Sequence, residues 1–207
     1  MHTLFFGDSL TAGSNCDCKY TDFLPSGWGV HNHAISGTTI GNYSIYPVDG
    51  YSLLDRIEKY RGSIEEVDTI FIEYGSNDVS AIMCGFATEQ TVIISLVKAL
   101  DWIKQLNPKA KIVFLIPGDE AVIWYLGTSM CNYLENDYFG KLNFKFPVSK
   151  YVYIFMNLLK EVEKVCDVMY MFDKSMLSAD YISDDNIHPN AKGHKHIAQN
   201  IIKQFNF

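Results

Sequence analysis

The feature that most constrains the fold of this 207-residue chain is a set of short apolar runs that alternate with helical patterns. Five runs are short enough for buried strands and are bounded by turn residues: 3–6, 29–34, 69–74, 111–116 and 167–172. Helical spacing of apolar residues falls between them, in segments 51–60, 88–106, 148–165 and 190–205. Strands that alternate with helices predict an α/β fold, with a parallel sheet of about five strands covered on both faces.

One domain accounts for the whole chain, because residues 1–207 contain no internal repeat, low-complexity tract or linker. Segment 117–147 departs from the alternation: it is rich in Trp, Tyr and Phe, and Gly and polar residues interrupt it. A long irregular insert in a compact domain is uncommon and often functional, but the sequence determines neither the role of this aromatic-rich insert nor the residues that bind substrate.

Composition and net charge indicate which kinds of partner and which cell compartment to expect. The net charge is −7 and no basic run is present, which gives no support for a nucleic-acid or anionic-membrane partner. No uncharged apolar stretch is long enough to cross a bilayer, and the N-terminus lacks the features of a secretory signal. Five cysteines, an odd number without paired spacing, are typical of a reduced protein, so we expect a cytoplasmic location.

The two ends of the chain carry residues suited to nucleophilic catalysis. Ser9 follows the first predicted strand in the segment Gly-Asp-Ser-Leu, where a hydroxyl can be presented above the sheet. Near the C-terminus, Asp185 and His188 are three residues apart, close enough for the carboxylate to hold the imidazole Nδ1–H and leave Nε2 free as a base. Asp184 is a competing carboxylate, but the spacing and the short reach to His188 favour Asp185.

Two further turns supply groups that acyl transfer needs. Asn77 follows the strand 69–74 in the segment Gly-Ser-Asn-Asp, and its side-chain amide is a suitable oxyanion donor. Gly37 follows the second strand, where the missing Cβ lets a backbone N–H approach a ligand. Each turn alone is weak evidence, but four of them at the predicted carboxyl edge of one sheet indicate a site.

With these blocks in place, the chain resembles the SGNH/GDSL hydrolase family, which is named for a Ser, Gly, Asn and His in four separated blocks. Ser9, Gly37, Asn77 and the pair Asp185 and His188 match those blocks. The resemblance implies a flavodoxin-like three-layer α/β/α sandwich and a Ser-His-Asp mechanism without metal or cofactor. It also implies an oxyanion hole built from the backbone N–H groups of Ser9 and Gly37 and the side chain of Asn77.

The function predicted from these residues is hydrolysis of a small-molecule carboxylic ester, with short acyl or acetyl esters of a polar or carbohydrate substrate favoured by the aromatic insert. A lysophospholipase or thioesterase acting on lipid acyl groups remains open. So does an acyltransferase, which shares the acyl-enzyme and differs only in the second nucleophile. A non-catalytic domain on the same fold is disfavoured because every block is present. The sequence does not determine the natural ester or the oligomeric state.

Overall fold

The computed structural model describes residues 1–43, 51–138 and 145–205, with backbone alone at 137 and 138. A single sheet contains five strands: β1 (His2–Gly7), β2 (Gly29–Asn32), β3 (Thr69–Glu73), β4 (Lys111–Ile116) and β5 (Asp167–Tyr170). The α-helices of the described residues are α1 (Ser9–Ala12), α2 (Leu53–Lys59), α3 (Arg61–Glu66), α4 (Ser76–Met83), α5 (Glu89–Leu106), α6 (Glu120–Tyr133), α7 (Val148–Val162) and α8 (Ala191–Phe205).

All strand pairs are parallel, and the strands lie side by side in the order β2-β1-β3-β4-β5. This is the flavodoxin-like order, which confirms the predicted fold class. The chain leaves β1 toward one edge of the sheet and returns through β3 on the other side of β1. A crevice therefore opens at the carboxyl ends of β1 and β3, where the direction of winding reverses.

Alternate residues of the central strands fill two separate hydrophobic cores, one on each face of the sheet. On one face Leu4 and Ile70 pack with apolar residues of α5 and α7. On the other face Phe5 and Phe71 stack with ring centroids 4.6 Å apart and pack with apolar residues of α8. Both faces are covered, so the near-continuous apolar runs in the strands have a direct structural cause.

Strand boundaries differ from the predicted ones by one or two residues. The second and fifth strands end at Asn32 and Tyr170, two residues earlier than predicted. Backbone hydrogen bonds continue beyond these ends, since His33 N donates to Phe5 O at 2.9 Å. The helices α1, α3 and α4 were not predicted. The first two have only four and six residues, and the segment interpreted as the turn Gly-Ser-Asn-Asp forms the N-cap and first turn of α4.

The prediction of irregular structure throughout segment 117–147 is wrong for its first part. Residues 120–133 form α6, and a π-helical turn follows over Leu134–Tyr138. Apolar residues recur there at helical spacing, and Val122, Leu126 and Met130 lie on the buried side. Gly127 is a packing residue, since an added Cβ would lie 2.8 Å from the ring of Tyr151. Residues 139–144 lie outside the described part of the chain.

Within the described ranges, no helix has the length and apolar character required to span a bilayer.

Candidate active site

The turn after β1 places Ser9 at the crevice. Asp8 precedes the helix α1 as its N-cap, and its Oδ1 accepts a hydrogen bond from Leu10 N at 3.1 Å. Gly7 permits the tight approach of this turn to the sheet, because a Cβ there would lie 2.5 Å from Thr11 Oγ1. Ser9 is half-buried at the first residue of the helix, where its hydroxyl borders a cavity.

Gly37 lies in the loop after β2 and borders the same cavity. Its φ of +77° falls in the left-handed region that favours glycine. The hydroxyl of Thr38 closes this loop by donating to Ile35 O at 2.7 Å. The sequence therefore identified a position where the backbone conformation requires glycine.

Asn77, at the start of α4, is almost fully buried and contacts both neighbouring turns. Its Nδ2 donates to Asp8 Oδ2 at 3.1 Å and to Thr38 O at 3.0 Å. Both hydrogens of the amide are thus engaged within the protein. The sequence anticipated an amide at this edge of the sheet but not that it ties the nucleophile turn to the loop of Gly37.

The turn before α8 brings Asp185 against His188. Asp185 Oδ2 lies 2.5 Å from His188 Nδ1, while Oδ1 accepts from the backbone N–H groups of Ile187 and His188, each at 2.9 Å. Burial alone would raise the pKa of the Asp185 carboxyl, but the bonds from His188 and Ile187 hold it well below its usual value. Asp185 is the carboxylate paired with His188, and Asp184 lies at the cavity wall without this contact.

One open cavity of about 640 Å³ brings together all of the predicted site residues. Its lining residues are Ser9, Ser14, Asn15, Ser36, Gly37, Asn77, Met130, Tyr133, Asp184, Asp185, Ile187 and His188. Polar groups dominate one wall, while α6 supplies Met130 and Tyr133 to the other. Of the aromatic residues in segment 117–147 with described side chains, Tyr133 reaches the cavity, whereas Trp124 lies on the surface, 42% exposed.

A second, much smaller cavity of about 20 Å³ adjoins Ser9. Its walls combine apolar side chains with Ser9, Ser76 and Asn77, and the apolar members are Leu10, Leu126, Met130, Tyr151 and Ile187. A space of this size is large enough for a small group. The small space adjoins the large one, since both are bordered by Ser9, Asn77, Met130 and Ile187.

Two buried carboxyl groups, those of Asp8 and Glu73, lie next to the turn that carries Ser9. Glu73, at the end of β3, accepts from Thr11 Oγ1 at 3.1 Å and from Asp8 N at 3.3 Å. Burial raises the pKa of both Asp8 and Glu73. The neighbouring Asp8 raises the pKa of Glu73 further, whereas the hydrogen bond with Glu73 lowers that of Asp8. A carboxylic acid pair next to the nucleophile turn was not predicted, although a Glu inside the apolar run 69–74 was a signal for it.

Three of the other histidines have packing or surface contacts away from the cavity. His33 stacks on Tyr60 with centroids 3.7 Å apart, and burial together with the nearby Arg56 lowers its pKa to about 4. His194 is buried against Tyr20, and burial lowers its pKa to about 4 as well. His196 Nε2 lies 3.0 Å from Asp173 Oδ2 on the surface. In the described ranges no three His, Cys, Asp or Glu side chains are grouped so as to hold a metal ion.

Asn15 is a site residue that sequence reasoning missed. Its side-chain amide contacts Asp185 Oδ2 across 170 residues of sequence. The turn-forming segment Gly13-Ser14-Asn15 directly after the nucleophile block was a signal for a loop at the site. Nothing in the sequence indicated which side chain this loop would reach.

Comparisons with known proteins agree with this architecture. Residues 5–196 match the model of the GDSL-like Lipase/Acylhydrolase family. Solved structures with the same fold include psychrotrophic esterase EstA from Pseudoalteromonas sp., 20% identical, with a TM-score of 0.62 over 100% of this chain and 99% of that chain. The lipase Lip_vut3 from a goat rumen metagenome is 13% identical, with a TM-score of 0.63 over 98% of this chain and 96% of that chain.

A catalytic mutant of Axe2, an acetylxylan esterase from Geobacillus stearothermophilus, is 16% identical, with a TM-score of 0.59 over 100% of this chain and 94% of that chain. No curated protein matches the chain significantly. The solved structures establish the fold, and the family model spans nearly the whole chain, including the blocks of Ser9 and His188. The chain therefore belongs to the GDSL-like lipase/acylhydrolase family and is a carboxylic ester hydrolase.

Proposed function

We propose that this hydrolase removes short acyl groups, acetyl above all, from a small polar or carbohydrate substrate through an acyl-Ser9 intermediate. The observation that carries the proposal is the shared cavity: Ser9 and the paired Asp185 and His188 meet at one opening, with space for about one small group beside the nucleophile.

In the proposed mechanism, His188 Nε2 takes the hydroxyl proton of Ser9 as the oxygen attacks the ester carbonyl. Asp185 holds the Nδ1–H of the imidazole and stabilises the imidazolium that forms. His188 then protonates the leaving alcohol as the C–O bond breaks. Water, deprotonated by the same imidazole, then attacks the acyl carbon. The bond between Ser9 Oγ and the acyl group breaks, the imidazolium returns its proton to Ser9 Oγ, and the acid is released.

The tetrahedral oxyanion is bound by the backbone N–H groups of Ser9 and Gly37 and by the amide of Asn77. Asn77 must release one of its two present hydrogen bonds to donate to substrate, and Thr38 O and Asp8 Oδ2 are the acceptors it can leave. Catalytic hydrogen bonds commonly tighten only when substrate is bound, so this rearrangement is compatible with the role.

A short acyl chain is supported by the small apolar cavity beside Ser9. Its small volume of about 20 Å³ favours a short acyl group such as acetyl over a long chain. The large cavity then receives the alcohol part of the ester. The polar wall, which includes Ser14, Ser36 and Asp184, offers hydrogen-bonding groups to a hydroxylated alcohol. Among proteins of the same fold, one is described as an acetylxylan esterase.

The test compares wild type with Ser9→Ala on three substrate sets: p-nitrophenyl acetate, butyrate and octanoate; acetylated xylo-oligosaccharides; and a lysolipid. We expect acid release from the acetyl esters, loss of that release in Ser9→Ala, and labelling of wild type alone by a fluorophosphonate probe. Release of acid from the lysolipid or octanoate but not from acetate would favour the lipid-directed alternative. Transfer of the acyl group to an added alcohol in preference to water would identify an acyltransferase.

A further inference from the structure

The loop that follows the nucleophile helix reaches the carboxylate of the candidate triad. Asn15 Nδ2 lies 2.5 Å from Asp185 Oδ2 and 3.5 Å from His188 Nδ1. The oxygen that faces the imidazole therefore also faces a side-chain amide from the other end of the chain. An amide N–H is a donor, so Asn15 donates to the carboxylate.

We propose that Asn15 is a positioning residue, whose amide holds the Asp185 carboxylate in the orientation that His188 requires; this inference rests on the proposed function of the site. Asn15 contacts Asp185 and acts on the reaction through it.

The remaining contacts of Asp185 explain why such a donor matters. Its Oδ1 accepts from Ser183 Oγ at 2.8 Å and from the backbone of Ile187 and His188. These donors all come from the same short turn as Asp185. Among the described residues, Asn15 is the donor to this carboxylate that belongs to a different part of the chain, so it joins the turn to the nucleophile loop.

The backbone of the loop is built to present this amide. Asn15 has a φ of +61°, in the left-handed region, where Asn is among the few non-glycine residues tolerated. Gly13 is also left-handed, and a Cβ there would lie 2.7 Å from Cys18 O. Between them, Ser14 Oγ contacts Ser36 Oγ, next to Gly37. The loop is thereby held on one side of the cavity by Ser36 and on the other by Asp185.

Removal of the amide has two expected effects. The carboxylate loses a contact that limits its rotation, so the imidazole is less well oriented toward Ser9. The Asp185 carboxylate also loses a hydrogen-bond donor that stabilises its negative charge. It then interacts more strongly with His188, and this favours the imidazolium form. The other charged or titratable groups around His188 are Asp184 and Asp185 of its turn, Asp8 of the nucleophile turn and His194 of α8, and all of them stay in place.

The experiment uses Asn15→Gly and Asn15→Asp, with Asn186→Gly as the matched control. Glycine removes the amide and fits the left-handed backbone, while aspartate keeps the shape and the backbone preference but replaces the donor with an acceptor. Asn186 is the other left-handed asparagine, with a φ of +58°; it lies in the Asp185 turn, and its amide donates to Asp184 O.

We expect kcat to fall about tenfold in Asn15→Gly, and further in Asn15→Asp, with a smaller change in KM and a loss of melting temperature of only a few degrees. The acidic limb of the pH–rate profile should move to higher pH in both variants, because the imidazolium is favoured. Asn186→Gly should retain the wild-type kcat and profile. A role limited to loop shape predicts instead that Asn15→Asp behaves as wild type, and that result would overturn the inference.

A readout without turnover separates this inference from the proposed function. The low-field proton NMR signal of His188 Nδ1–H reports its bond to Asp185, and it should shift or broaden in both Asn15 variants but not in Asn186→Gly. A wild type that neither hydrolyses esters nor reacts with a fluorophosphonate would contradict the proposed function. An unchanged NMR signal in the Asn15 variants would contradict the positioning role, whatever the activity.

Discussion

Asn77 and Asp185 both border the cavity, but Asn77 is buried and Asp185 is exposed. Asn77 is nearly fully buried between Asp8 and Thr38 O, so its amide contributes to the packing of two turns as well as to the cavity. Asp185 lies in an exposed turn, where hydrogen bonds rather than burial define its orientation. Substitutions at the two positions should consequently differ in their effects on stability.

Asp185→Asn should lower kcat by about 1,000- to 10,000-fold, because an amide at this position no longer favours the imidazole tautomer that leaves Nε2 free to accept the proton. Steady-state kinetics on an acetyl ester measures the effect. Asp184→Asn is the matched comparison, since Asp184 is adjacent and borders the cavity but does not contact the His188 ring. A loss in Asp184→Asn as large as that in Asp185→Asn would contradict the assignment of Asp185.

Asn77→Ala should lower kcat by about 100- to 1,000-fold, which is the usual cost of losing one oxyanion donor. It should also destabilise the fold by roughly 1–3 kcal/mol, because Asp8 Oδ2 and Thr38 O lose a buried donor. Urea unfolding separates the two effects if kcat is measured where the variant remains folded. A stability loss with an unchanged kcat would assign Asn77 to packing alone.

The helix α6 is the element that links the core to the cavity. Its Val122 and Leu126 pack in the core on one face of the sheet, whereas Ile123 and Met130 pack in the core on the other face. Met130 additionally borders both the large cavity and the small one beside Ser9. If the small cavity receives the acyl group, as we propose, the size of that group depends on a core side chain of a helix and not on a surface loop.

Met130→Ala should shift acyl preference from acetyl toward butyryl esters, because the smaller side chain opens the cavity beside Ser9 into the larger one. The ratio of kcat/KM for p-nitrophenyl butyrate to that for the acetate should rise about tenfold, as expected for one or two methylene groups in an apolar pocket. Met130→Leu conserves volume and should keep the wild-type ratio. If Met130→Ala changed kcat/KM for both esters by the same factor, the acyl group would not lie against Met130.

For the molecule as a whole, buried acids make stability depend on pH. Burial raises the pKa of Asp78 from 3.8 to about 7, although it accepts hydrogen bonds from Ile40 N and Tyr43 OH. The folded state therefore keeps a proton that the unfolded chain loses, and the stability contributed by Asp78 falls as pH rises from 3.8 through about 7. His33 and His194, with lowered pKa values, contribute the opposite slope below pH 6.5.

Asp78→Asn should cancel the contribution of this one acid, since the amide has nearly the shape of the protonated carboxyl. The free energy of unfolding of the variant relative to wild type should increase between pH 4 and pH 8, by up to about 4 kcal/mol in total. The two histidines are present in both proteins, so their effect cancels in the difference. Urea unfolding at a series of pH values measures it, and a difference independent of pH would show that Asp78 ionises normally.

The strand runs and the four site blocks could be predicted from sequence because both are local. A buried strand needs a continuous apolar run, and a turn that exposes a nucleophile or a backbone N–H needs glycine or another turn residue at a particular position. Ser9, Gly37, Asn77, Asp185 and His188 were all identified in this way, and all border one cavity. The prediction of irregular structure in segment 117–147 failed for a local reason too. Gly127 and the polar residues of α6 interrupt the spacing of apolar residues by which a helix is recognised.

What the sequence determined by itself was therefore the α/β class, the parallel sheet and the residue types at the carboxyl ends of its strands. Only the tertiary structure decided which of those residues touch. The contact of Asn15 with Asp185, the two bonds of the Asn77 amide and the position of Met130 beside Ser9 each join segments far apart in the chain. Such contacts depend on the order of the strands in the sheet and on the packing of the helices. A local sequence pattern does not determine the distance between segments that are far apart in the chain.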